Sequence, residues 1–487
     1  MLLITILLPI AAGLILLGWQ PKSSRARSLF VEAAVIATSL LGAWCLFHPE
    51  TAGAVLLQLT DKIALRFAID GVGTVFTAIV IFLWPLASLY AFEYMKHEGG
   101  ENHFLALYTI TYGVTLGIST AANLITMYVF YECLTLCTMP LVMHGSEEES
   151  LHAGRQYMLY SFFGAALAFA GIMIVLGFAG TTDFVPGGVM GAAFAAEHPL
   201  LLQAGYLCMF LGFGVKAAVF PLHAWLPSAS VAPTPVTALL HAVAVVKSGV
   251  FAILRMTYFS IGASLLLGTP AQVIAVVLAS LTIVYGSSMA VKEHHFKRRL
   301  AYSTVSNLSY IIMAASLMTV QGLTAGLTHM VFHAVIKISL FYCAGAVLVD
   351  TGRTQIEQLR GLGKVMPFTC AAYVLAALGL MGTPLLPGFV SKVMIGTAAA
   401  SCGAVGLIGL AALLISAILT AVYLMGPAFY MCFRPLEPSG VVEAGKNCDP
   451  GWQMKVTLAV LAGVIVLFGL FSSQVVGVLE TLTAGVV

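Results

Sequence analysis

Long apolar stretches alternate with short polar ones along the whole chain, and few of the apolar stretches contain a charge. A run of roughly 20 apolar residues is long enough to cross about 30 Å of hydrocarbon as an α-helix. Divided at its polar stretches, the sequence predicts an all-α polytopic membrane protein with 14 transmembrane helices. The predicted spans are 2–18, 29–47, 70–92, 104–122, 124–143, 156–179, 200–225, 234–258, 270–291, 300–318, 322–349, 367–400, 405–433 and 456–477.

The composition supports this prediction, because 60% of the 487 residues are hydrophobic, 9% are charged and the mean hydropathy is +1.00. Soluble domains do not have this composition. The first run, Met1–Gly18, has neither a basic leader nor a small-residue cleavage site, so we expect a retained first helix rather than a signal peptide. The nine cysteines occur singly, without the spacing of zinc or iron–sulfur sites, so no metal and no cofactor is expected in this chain.

Lysine and arginine are divided unevenly between the two alternating sets of loops. One set has Lys62 and Arg66. The other set has Lys22, Arg25, Arg27, Lys96, Arg155, Lys292, Lys297, Arg298, Arg299, Arg353, Arg360, Lys364, Arg434, Lys446 and Lys455. Because cytoplasmic loops hold the positive charge, we expect a multi-pass protein of a bacterial or archaeal cytoplasmic membrane with both termini outside.

Eight ionisable residues lie inside the apolar spans and are the candidate functional residues. Placing a charged side chain at the bilayer centre costs about 2.5–3.5 kcal/mol on insertion scales, so such residues usually mark an ion path or a proton relay. This arrangement predicts a protein that moves ions. The eight residues are Glu132, Lys216, His241, Lys247, His329, His333, Lys337 and Lys392.

Two predicted spans contain prolines at membrane depth. The seventh span has Pro221 after Lys216, and the twelfth has Pro384 and Pro387 before Lys392. Proline removes a backbone donor and clashes with the preceding turn, so both helices are predicted to be broken. Broken helices in corresponding positions indicate an inverted-repeat transporter.

The two broken spans are five apart, and a five-helix unit that follows itself in the chain must insert upside down the second time. The predicted organisation therefore has two inverted five-helix repeats. The predicted parts are 1–103 (helices 1–3), 104–258 (the first repeat, helices 4–8), 259–433 (the inverted second repeat, helices 9–13) and 434–487 (a loop and helix 14).

The spacing of the candidate residues indicates which of them can act together. His329, His333 and Lys337 are four residues apart, on one stripe of an α-helix. Imidazole titrates near physiological pH and can pass a proton through its two nitrogens, so this stripe suits a proton wire. His241 and Lys247 are six residues apart on the eighth span, where they would hold a water-filled path between them.

Glu132 needs a cationic partner near the middle of its span, and Lys216 is the natural candidate because pairing offsets part of the burial cost of each. Other buried cations have simpler explanations. Arginine and lysine near helix ends often extend to the interface, which explains Arg255 and is an alternative for Lys392. Polar residues that only hold helices together remain an alternative for the histidines.

Five ordered segments resemble the antiporter-like membrane subunits shared by respiratory complex I, membrane-bound hydrogenases and multi-subunit cation/proton antiporters. The resemblance covers most of the chain. It implies a fourteen-helix fold with two inverted repeats, each giving a half-channel to a hydrated polar axis. The segments are NLITMYVFYECLTL, GVKAAVFPLHAWLPSASVAPTPVTALLHAVAVVKSGV, FKRRLAYSTVSNLSY, HMVFHAVIKISLFYCAGA and GTPLLPGFVSK.

The resemblance also implies a role for individual positions. In that family the glutamate matching Glu132 pairs with the lysine matching Lys216, and the lysine matching Lys247 is central. The position of Lys337 links the two halves, and the residue at Lys392 exchanges protons with the far side.

Some positions depart from the family pattern or fit it less well. Lys297 matches a basic position at the start of the tenth helix but sits in a positive loop. Ser228 stands where many relatives carry an acidic residue, so no carboxylate acts there. Lysine at 392 argues against one branch of complex I subunits, which has glutamate. The chain ends soon after the fourteenth predicted span, without a long lateral helix, which predicts against the largest complex I subunit.

Two functions stay open at this point. The first is a proton-translocating subunit of a redox-driven complex, complex I-like or a membrane-bound hydrogenase. It would have homologous membrane subunits as partners, and its iron–sulfur, flavin or nickel centres would lie in cytoplasmic partner subunits. The alternative is a subunit of a multi-subunit Na⁺/H⁺ antiporter. Hard cations prefer oxygen ligands and acidic residues are nearly absent from the spans, which favours protons and the redox complex. A membrane scaffold is a third, weaker alternative.

Overall fold

The computed structural model describes residues 1–19, 21, 23–51, 53–60, 63–145, 147–436 and 447–486. Three of the loop lysines named above, Lys22, Lys62 and Lys446, lie outside these residues. Nearly all of the described chain is helical, as the apolar pattern predicts.

Twenty α-helices follow one another along the described chain. Two π-helical turns, Leu239–Val243 and Met256–Ile261, continue α10 and α11 into one apolar stretch, Thr234–Ile261. The helices are α1 (Leu2–Gly18), α2 (Ser24–Phe47), α3 (Gly71–Tyr94), α4 (Glu101–Ser119), α5 (Leu124–Val142), α6 (Glu148–Ala179), α7 (Ala192–Glu197), α8 (Pro199–Lys216), α9 (Trp225–Ser228), α10 (Thr234–Ala238), α11 (Val245–Arg255), α12 (Ala263–Leu266), α13 (Pro270–Lys292), α14 (Phe296–Ala315), α15 (Val320–Thr351), α16 (Pro367–Met381), α17 (Pro387–Ala400), α18 (Gly403–Phe433), α19 (Trp452–Leu470) and α20 (Ser472–Thr483).

In the described residues, ten helices are long and apolar enough to cross a membrane, or eleven if Ile356–Lys364 and Pro367–Met381 form one bent span. The chain is therefore a multi-pass membrane protein. Several predicted spans correspond to helices that are shorter or more polar, among them α1, α4, α14 and α17. The count of fourteen and the inverted repeats stay predictions.

A small antiparallel hairpin separates α2 from α3. Its strands are β1 (Ala54–Thr60) and β2 (Ile63–Phe67). The Asn123 side chain, which caps the start of α5, also donates to the carbonyl of Ala64 at 2.8 Å. Arg66 forms an ion pair with Asp183, which lies between α6 and α7. The hairpin is therefore joined to the start of α5 and to the segment that follows α6.

Helix α15 is the central helix of the bundle. It has 32 residues, most of them buried, and it packs against α3, α14, α16, α17 and α19. Residues on all faces of this helix are buried, so α15 lies in the interior of the bundle. The polar side chains in the middle of α15, among them His329, His333 and Lys337, are therefore enclosed by other helices.

Contacts between helix ends show which ends share a side of the bundle. The amide of Asn102, in the first turn of α4, donates to the carbonyl of Leu16 near the end of α1 at 2.8 Å. The backbone N–H of Gln453, at the start of α19, donates to the Glu93 carboxylate near the end of α3 at 3.0 Å. The ends of α1 and α3 and the starts of α4 and α19 therefore lie on one side, close to the positively charged Lys96.

Candidate functional site

The only acidic member of the eight candidate residues, Glu132, lies beside a buried lysine. Glu132 is on α5, and its Oε1 is 3.9 Å from the Nζ of Lys216, the last residue of α8. The Lys216 side chain is 1% exposed and donates to the carbonyl of Tyr131, while its Nζ lies 3.4 Å from the centre of the Tyr131 ring. The contact predicted from the sequence is present, and it leaves Glu132 23% exposed.

The break after α8 gives Lys216 its position. The helix ends at this residue, Ala218 has a positive φ of 58°, and Pro221 lies in the non-helical segment before α9. The indole of Trp225 donates to the carbonyl of Val215 at 2.7 Å, which satisfies one of the acceptors that the helix end leaves free. A cation at a helix C-terminus is also favoured by the helix dipole.

Gly249 brings α11 against this helix end. A Cβ at Gly249 would lie 2.5 Å from the Ala217 nitrogen and 2.9 Å from the Lys216 carbonyl carbon. No side chain fits that space, so the backbones of α11 and α8 meet there. The helix that carries Lys247 therefore passes directly beside the helix that ends at Lys216.

Lys247 on α11 meets the stripe on α15. Its Nζ is 3.0 Å from Nδ1 of His333, and both side chains are fully buried. His241 lies in the π-helical turn before α11 and packs against the ring of Phe341, with 4.7 Å between ring centres. Within the described residues, neither ring nitrogen of His241 has a hydrogen-bond partner. π-Helical turns often occur at functional sites.

Lys337 on α15 contacts a set of buried hydroxyl groups. Its Nζ donates to the carbonyl of Leu300 at 2.9 Å and to the Ser303 hydroxyl at 2.8 Å. Ser303 in turn donates to the Tyr423 hydroxyl at 3.0 Å, and Tyr423 is 3.1 Å from the hydroxyl of Thr420. Buried hydroxyls can both donate and accept, so they can extend a proton path from the lysine.

His329, at the other end of the stripe, contacts the second broken region. Its Nδ1 is 2.9 Å from the Ser391 hydroxyl on α17. The neighbouring Lys392 donates to the carbonyls of Leu380 and Met381, each at 2.9 Å, where α16 ends. Gly382 follows with a positive φ of 94°, which glycine adopts readily.

Pro384 lies in the turn between α16 and α17, and Pro387 is the first residue of α17. Both prolines therefore sit where the chain leaves one helix and enters the next, as Pro221 does after α8. Lys392 is 9% exposed and bound to the end of α16 rather than extended toward an interface.

Seven of the eight candidate residues are buried, and helix α15 connects most of them. The ring centres of His329 and His333 are 5.8 Å apart, and His333 contacts Lys247. Among the described residues, no direct hydrogen bond or ion pair joins the Glu132–Lys216 pair to Lys247. We call the eight residues together the polar row; it consists of Glu132, Lys216, His241, Lys247, His329, His333, Lys337 and Lys392.

The interpretation of Arg255 as an interface residue is wrong. Its side chain is 0% exposed and forms a two-point ion pair with Asp70, the cap of α3, with one of the two contacts at 2.7 Å. The rings of Phe184, Phe251 and Phe259 surround the guanidinium at 4.9–5.0 Å. The partner is almost two hundred positions away, so no local pattern in the sequence indicates the pair.

Two further kinds of polar residue lie in the interior. One is Lys297, which the family resemblance named but the sequence analysis placed in a loop, and the other is a group of buried hydroxyls that the sequence pattern did not indicate. Lys297 is 7% exposed, and its Nζ donates to the carbonyl of Ala232 at 3.0 Å, so it belongs to the interior and not to an exposed loop. Tyr310 donates to Ser416 at 2.6 Å within a second buried hydroxyl cluster. Single serines and tyrosines in apolar helices carry no pattern that distinguishes these from packing residues.

No group of three or more His, Cys, Asp or Glu side chains that could hold a metal occurs in the described ranges.

Comparison with known proteins connects this arrangement to a family. The sequence model of the family described as "NADH:quinone oxidoreductase/Mrp antiporter, TM" matches residues 121–420, more than half of the chain. The chain belongs to this family. It is an antiporter-like membrane subunit of the complex I or Mrp type, and the matched range contains the whole polar row.

Relatives of both types are similar to this antiporter-like subunit. The probable K⁺/H⁺ antiporter A/B subunit of Rhizobium meliloti (strain 1021) is 32% identical over 403 residues, which cover 81% of this chain and 39% of that protein. The NADH-quinone oxidoreductase subunit N of Desulforudis audaxviator (strain MP104C) is 30% identical over 428 residues, covering 85% of this chain and 83% of that protein. The chain thus spans about two fifths of the first relative and most of the second.

The fold is also that of a subunit in a solved respiratory complex. A chain in the structure of the membrane-bound sulfane sulfur reductase, an archaeal respiratory membrane complex, superposes with a TM-score of 0.87 at 24% identity. The match covers 100% of the present chain and 97% of that chain. At this identity the likeness shows the fold.

Proposed function

We propose that this antiporter-like subunit translocates protons as part of a redox-driven ion-pumping complex, either a complex I-like dehydrogenase or a membrane-bound hydrogenase. The observation that carries the proposal is the polar row. Its groups can bind and release protons, and several are in direct contact, such as Lys247 with His333 at 3.0 Å. Burying four lysines and three histidines inside membrane spans costs free energy, and helix packing alone would not require it.

The contacts support a division of roles along the row. Lys216 faces Glu132 at 3.9 Å, so the charge on either residue affects how readily the other holds its proton. Lys247 and His333 form the central exchange step. Lys337 continues through Ser303 to Tyr423, and Lys392 stands at the second break, where it exchanges protons with the far side.

The charges of the row favour protons over sodium ions. Its lysines, together with the buried Lys297, place ammonium groups along the path, and these repel a sodium ion when they are charged. A proton does not need a cage of oxygen ligands, because it is carried on the nitrogens and hydroxyls themselves. The structure supplies such groups at Lys247, His333, Lys337 and Ser303.

The proposal includes the architecture of the assembled protein. Fourteen transmembrane helices would form two inverted repeats, 104–258 and 259–433, flanked by 1–103 and 434–487. The protein would lie in a bacterial or archaeal cytoplasmic membrane with both termini outside. Homologous membrane subunits would be its neighbours, and cytoplasmic partner subunits would carry the iron–sulfur, flavin or nickel centres, with no cofactor in this chain.

A second candidate function is cation/proton exchange without electron transfer, in a multi-subunit antiporter. The similarity to the K⁺/H⁺ antiporter protein favours it. In that case the same polar row would carry the proton, and a cation would cross in exchange.

The test is proton pumping by inverted membrane vesicles that contain the whole native complex. NADH and reduced ferredoxin are supplied in turn as donors, and acidification is followed with a fluorescent pH indicator. We expect donor oxidation to acidify the wild-type vesicles, Lys247→Ala to abolish acidification and Glu132→Gln to reduce it strongly. Lys364→Ala, which changes an exposed lysine, serves as the control and should leave acidification intact.

The outcomes separate the proposals. Protons moved by a sodium or potassium gradient, with no effect of any donor, would establish the antiporter function instead. Normal pumping by Lys247→Ala would show that the polar row does not carry the protons. It would favour the alternative in which the chain is a membrane scaffold.

A further inference from the structure

A cavity of about 650 Å³ opens on the side of the bundle that carries Lys96, away from the polar row. It lies between the start of α2, the end of α3 and the start of α19. Arg25, Ser28, Leu29, Lys96 and Trp452 are among the residues that line it. Neither the family match nor the proposed proton path gives these residues a role.

The outer part of the cavity is positively charged. Arg25 and Lys96 are exposed, and within the described ranges neither forms an ion pair. Arg27 differs, because it is paired with Glu101 on α4. The cavity also lies at the start of α2, where free N–H groups and the helix dipole favour an anion. Two unpaired cations and a helix start thus face the same space.

Most of the deeper wall of the cavity is apolar. Leu29 is 72% exposed there, Phe92 forms part of the packed wall behind it, and Leu89 continues the surface along α3. Trp452 is 68% exposed at the start of α19, and tryptophan is enriched at the level of lipid headgroups. An amphipathic ligand with an anionic head and an apolar tail matches this division.

One carboxylate also lines the cavity. Glu32 lies seven residues after Arg25 on α2, about 10 Å deeper along the helix. Its Oε2 accepts a hydrogen bond from the Ser88 hydroxyl at 2.5 Å, so the carboxyl group is directed toward α3. An anion between Arg25 and Lys96 would therefore sit nearer the surface than this carboxylate.

We propose that this cavity binds an anionic phospholipid, with the headgroup phosphate between Arg25 and Lys96 and an acyl chain along Leu29 and Leu89. Cytoplasmic leaflets supply anionic lipids, and the positively charged loops place the cavity on the side that faces them. The lipid would join α2, α3 and α19 at their ends. This proposal does not depend on the proposed proton transport.

Trp452 provides a probe inside the site. The full chain is placed in nanodiscs of phosphatidylcholine that contain increasing amounts of a brominated lipid, either phosphatidylglycerol or phosphatidylcholine. Quenching of Trp452 is obtained by subtracting the signal of Trp452→Phe, because the chain has five tryptophans. We expect brominated phosphatidylglycerol to quench at a mole fraction roughly thirty-fold lower than brominated phosphatidylcholine, as two interfacial cations would produce.

The variant Arg25→Gln/Lys96→Gln should reduce this preference to near one. The matched control Arg155→Gln/Lys364→Gln removes two exposed cations outside the cavity, one near the start of α6 and one between α15 and α16, and should keep it. Circular dichroism and size-exclusion chromatography establish that each variant is folded. An excess of inorganic phosphate should not protect Trp452 if the acyl chain contributes to binding.

Three results would overturn the proposal. Equal quenching of the wild type by the two lipids would show that the cavity has no preference for the anionic headgroup. An equal loss in the control variant would show that general surface charge attracts the lipid. Full protection by inorganic phosphate would show a site for the free anion.

Discussion

The buried charges of this protein are compensated in two different ways. Arg255 is held by the carboxylate of Asp70 through two contacts, an arrangement that fixes its charge. Lys247 and Lys337 instead contact an imidazole nitrogen, a carbonyl and a hydroxyl. Neutral partners let a lysine exist with or without its proton. For these three residues, the kind of partner thus separates Arg255, which holds the fold, from Lys247 and Lys337, which can carry protons.

The first prediction concerns the fixed pair. Asp70→Ala would leave the buried Arg255 guanidinium without its counter-charge, which costs about 3 kcal/mol, the lower end of the range for buried pairs because the Asp70 side chain is itself 40% exposed. The free energy of unfolding, measured with denaturant in detergent micelles, should fall by that amount. Asp183→Ala is the matched control, because its partner Arg66 is 41% exposed whereas Arg255 is buried, so that pair should contribute less than about 1 kcal/mol. Equal losses in the two variants would contradict the role given to Asp70.

The second prediction concerns the hydroxyl next to Lys337. Ser303→Ala removes the link between Lys337 and Tyr423, and we expect proton transport in vesicles to fall roughly tenfold, the value of about one hydrogen bond. Ser309→Ala is the control on the same helix, because that buried hydroxyl has no hydrogen-bond partner in the described ranges. Transport by Ser303→Ala at the level of the control would exclude Ser303 from the path.

At the scale of helices, the ends of elements bring the polar groups together. Lys216 is the last residue of α8, and Lys392 lies in the second turn of α17, against the end of α16. Gly249 lets α11 approach α8, and Gly388 lets α17 approach Gly379 of α16, where a Cβ would lie 2.0 Å from the carbonyl oxygen. Close backbone packing is what places side chains from different helices within reach of each other.

The third prediction tests this packing. Gly249→Ala puts a methyl group 2.5 Å from the backbone nitrogen of Ala217, so α11 has to move. We expect a loss of about 1–3 kcal/mol in unfolding free energy, together with a loss of proton transport because Lys247 moves with the helix.

Gly177→Ala is the control for this change. A Cβ at Gly177 meets no other atom within 4 Å, so alanine should be neutral or slightly stabilising there. Transport at the wild-type level in Gly249→Ala would mean that the contact between α8 and α11 does not position Lys247.

Much of this arrangement could be predicted because its signals are local in the sequence. Charges in apolar runs identified the polar row, prolines marked the breaks, and the spacing of His329, His333 and Lys337 placed them on one stripe. The partner of Arg255 could not be predicted, because it depends on how α3 packs against α11. The hydroxyl groups around Tyr423 could not be predicted for the same reason, since serine and tyrosine are common in ordinary helix packing.

At the scale of the whole molecule, contacts between helix ends show on which side of the bundle the described termini lie. The end of α3 contacts the start of α19. The end of α20 contacts the start of α3, on the opposite side: a Cβ at Gly71 would lie 2.2 Å from the carbonyl oxygen of Leu482. The start of α1 is on that second side too, because its end contacts α4 near Leu16. Both described termini therefore share the side opposite Lys96; that this side faces outside stays a prediction.

The fourth prediction is the orientation in the membrane. In a background without native cysteines, Lys364→Cys should react with an impermeant maleimide in inverted vesicles, and Thr481→Cys, near the end of α20, should react only in right-side-out vesicles. The reverse pattern would place the termini in the cytoplasm. Labelling of both sites in one preparation would contradict an arrangement in which they lie on opposite sides.

The contact between Lys247 and His333 has a consequence for the history of the chain. Lys247 belongs to the first predicted repeat and His333 to the second, yet each is the other's neighbour in the centre of the bundle. If the repeats arose by duplication of a smaller gene, this contact made a residue of each repeat depend on a residue of the other. Homologous sequences in which Lys247 is replaced should then also differ at His333, so the two repeats are expected to coevolve.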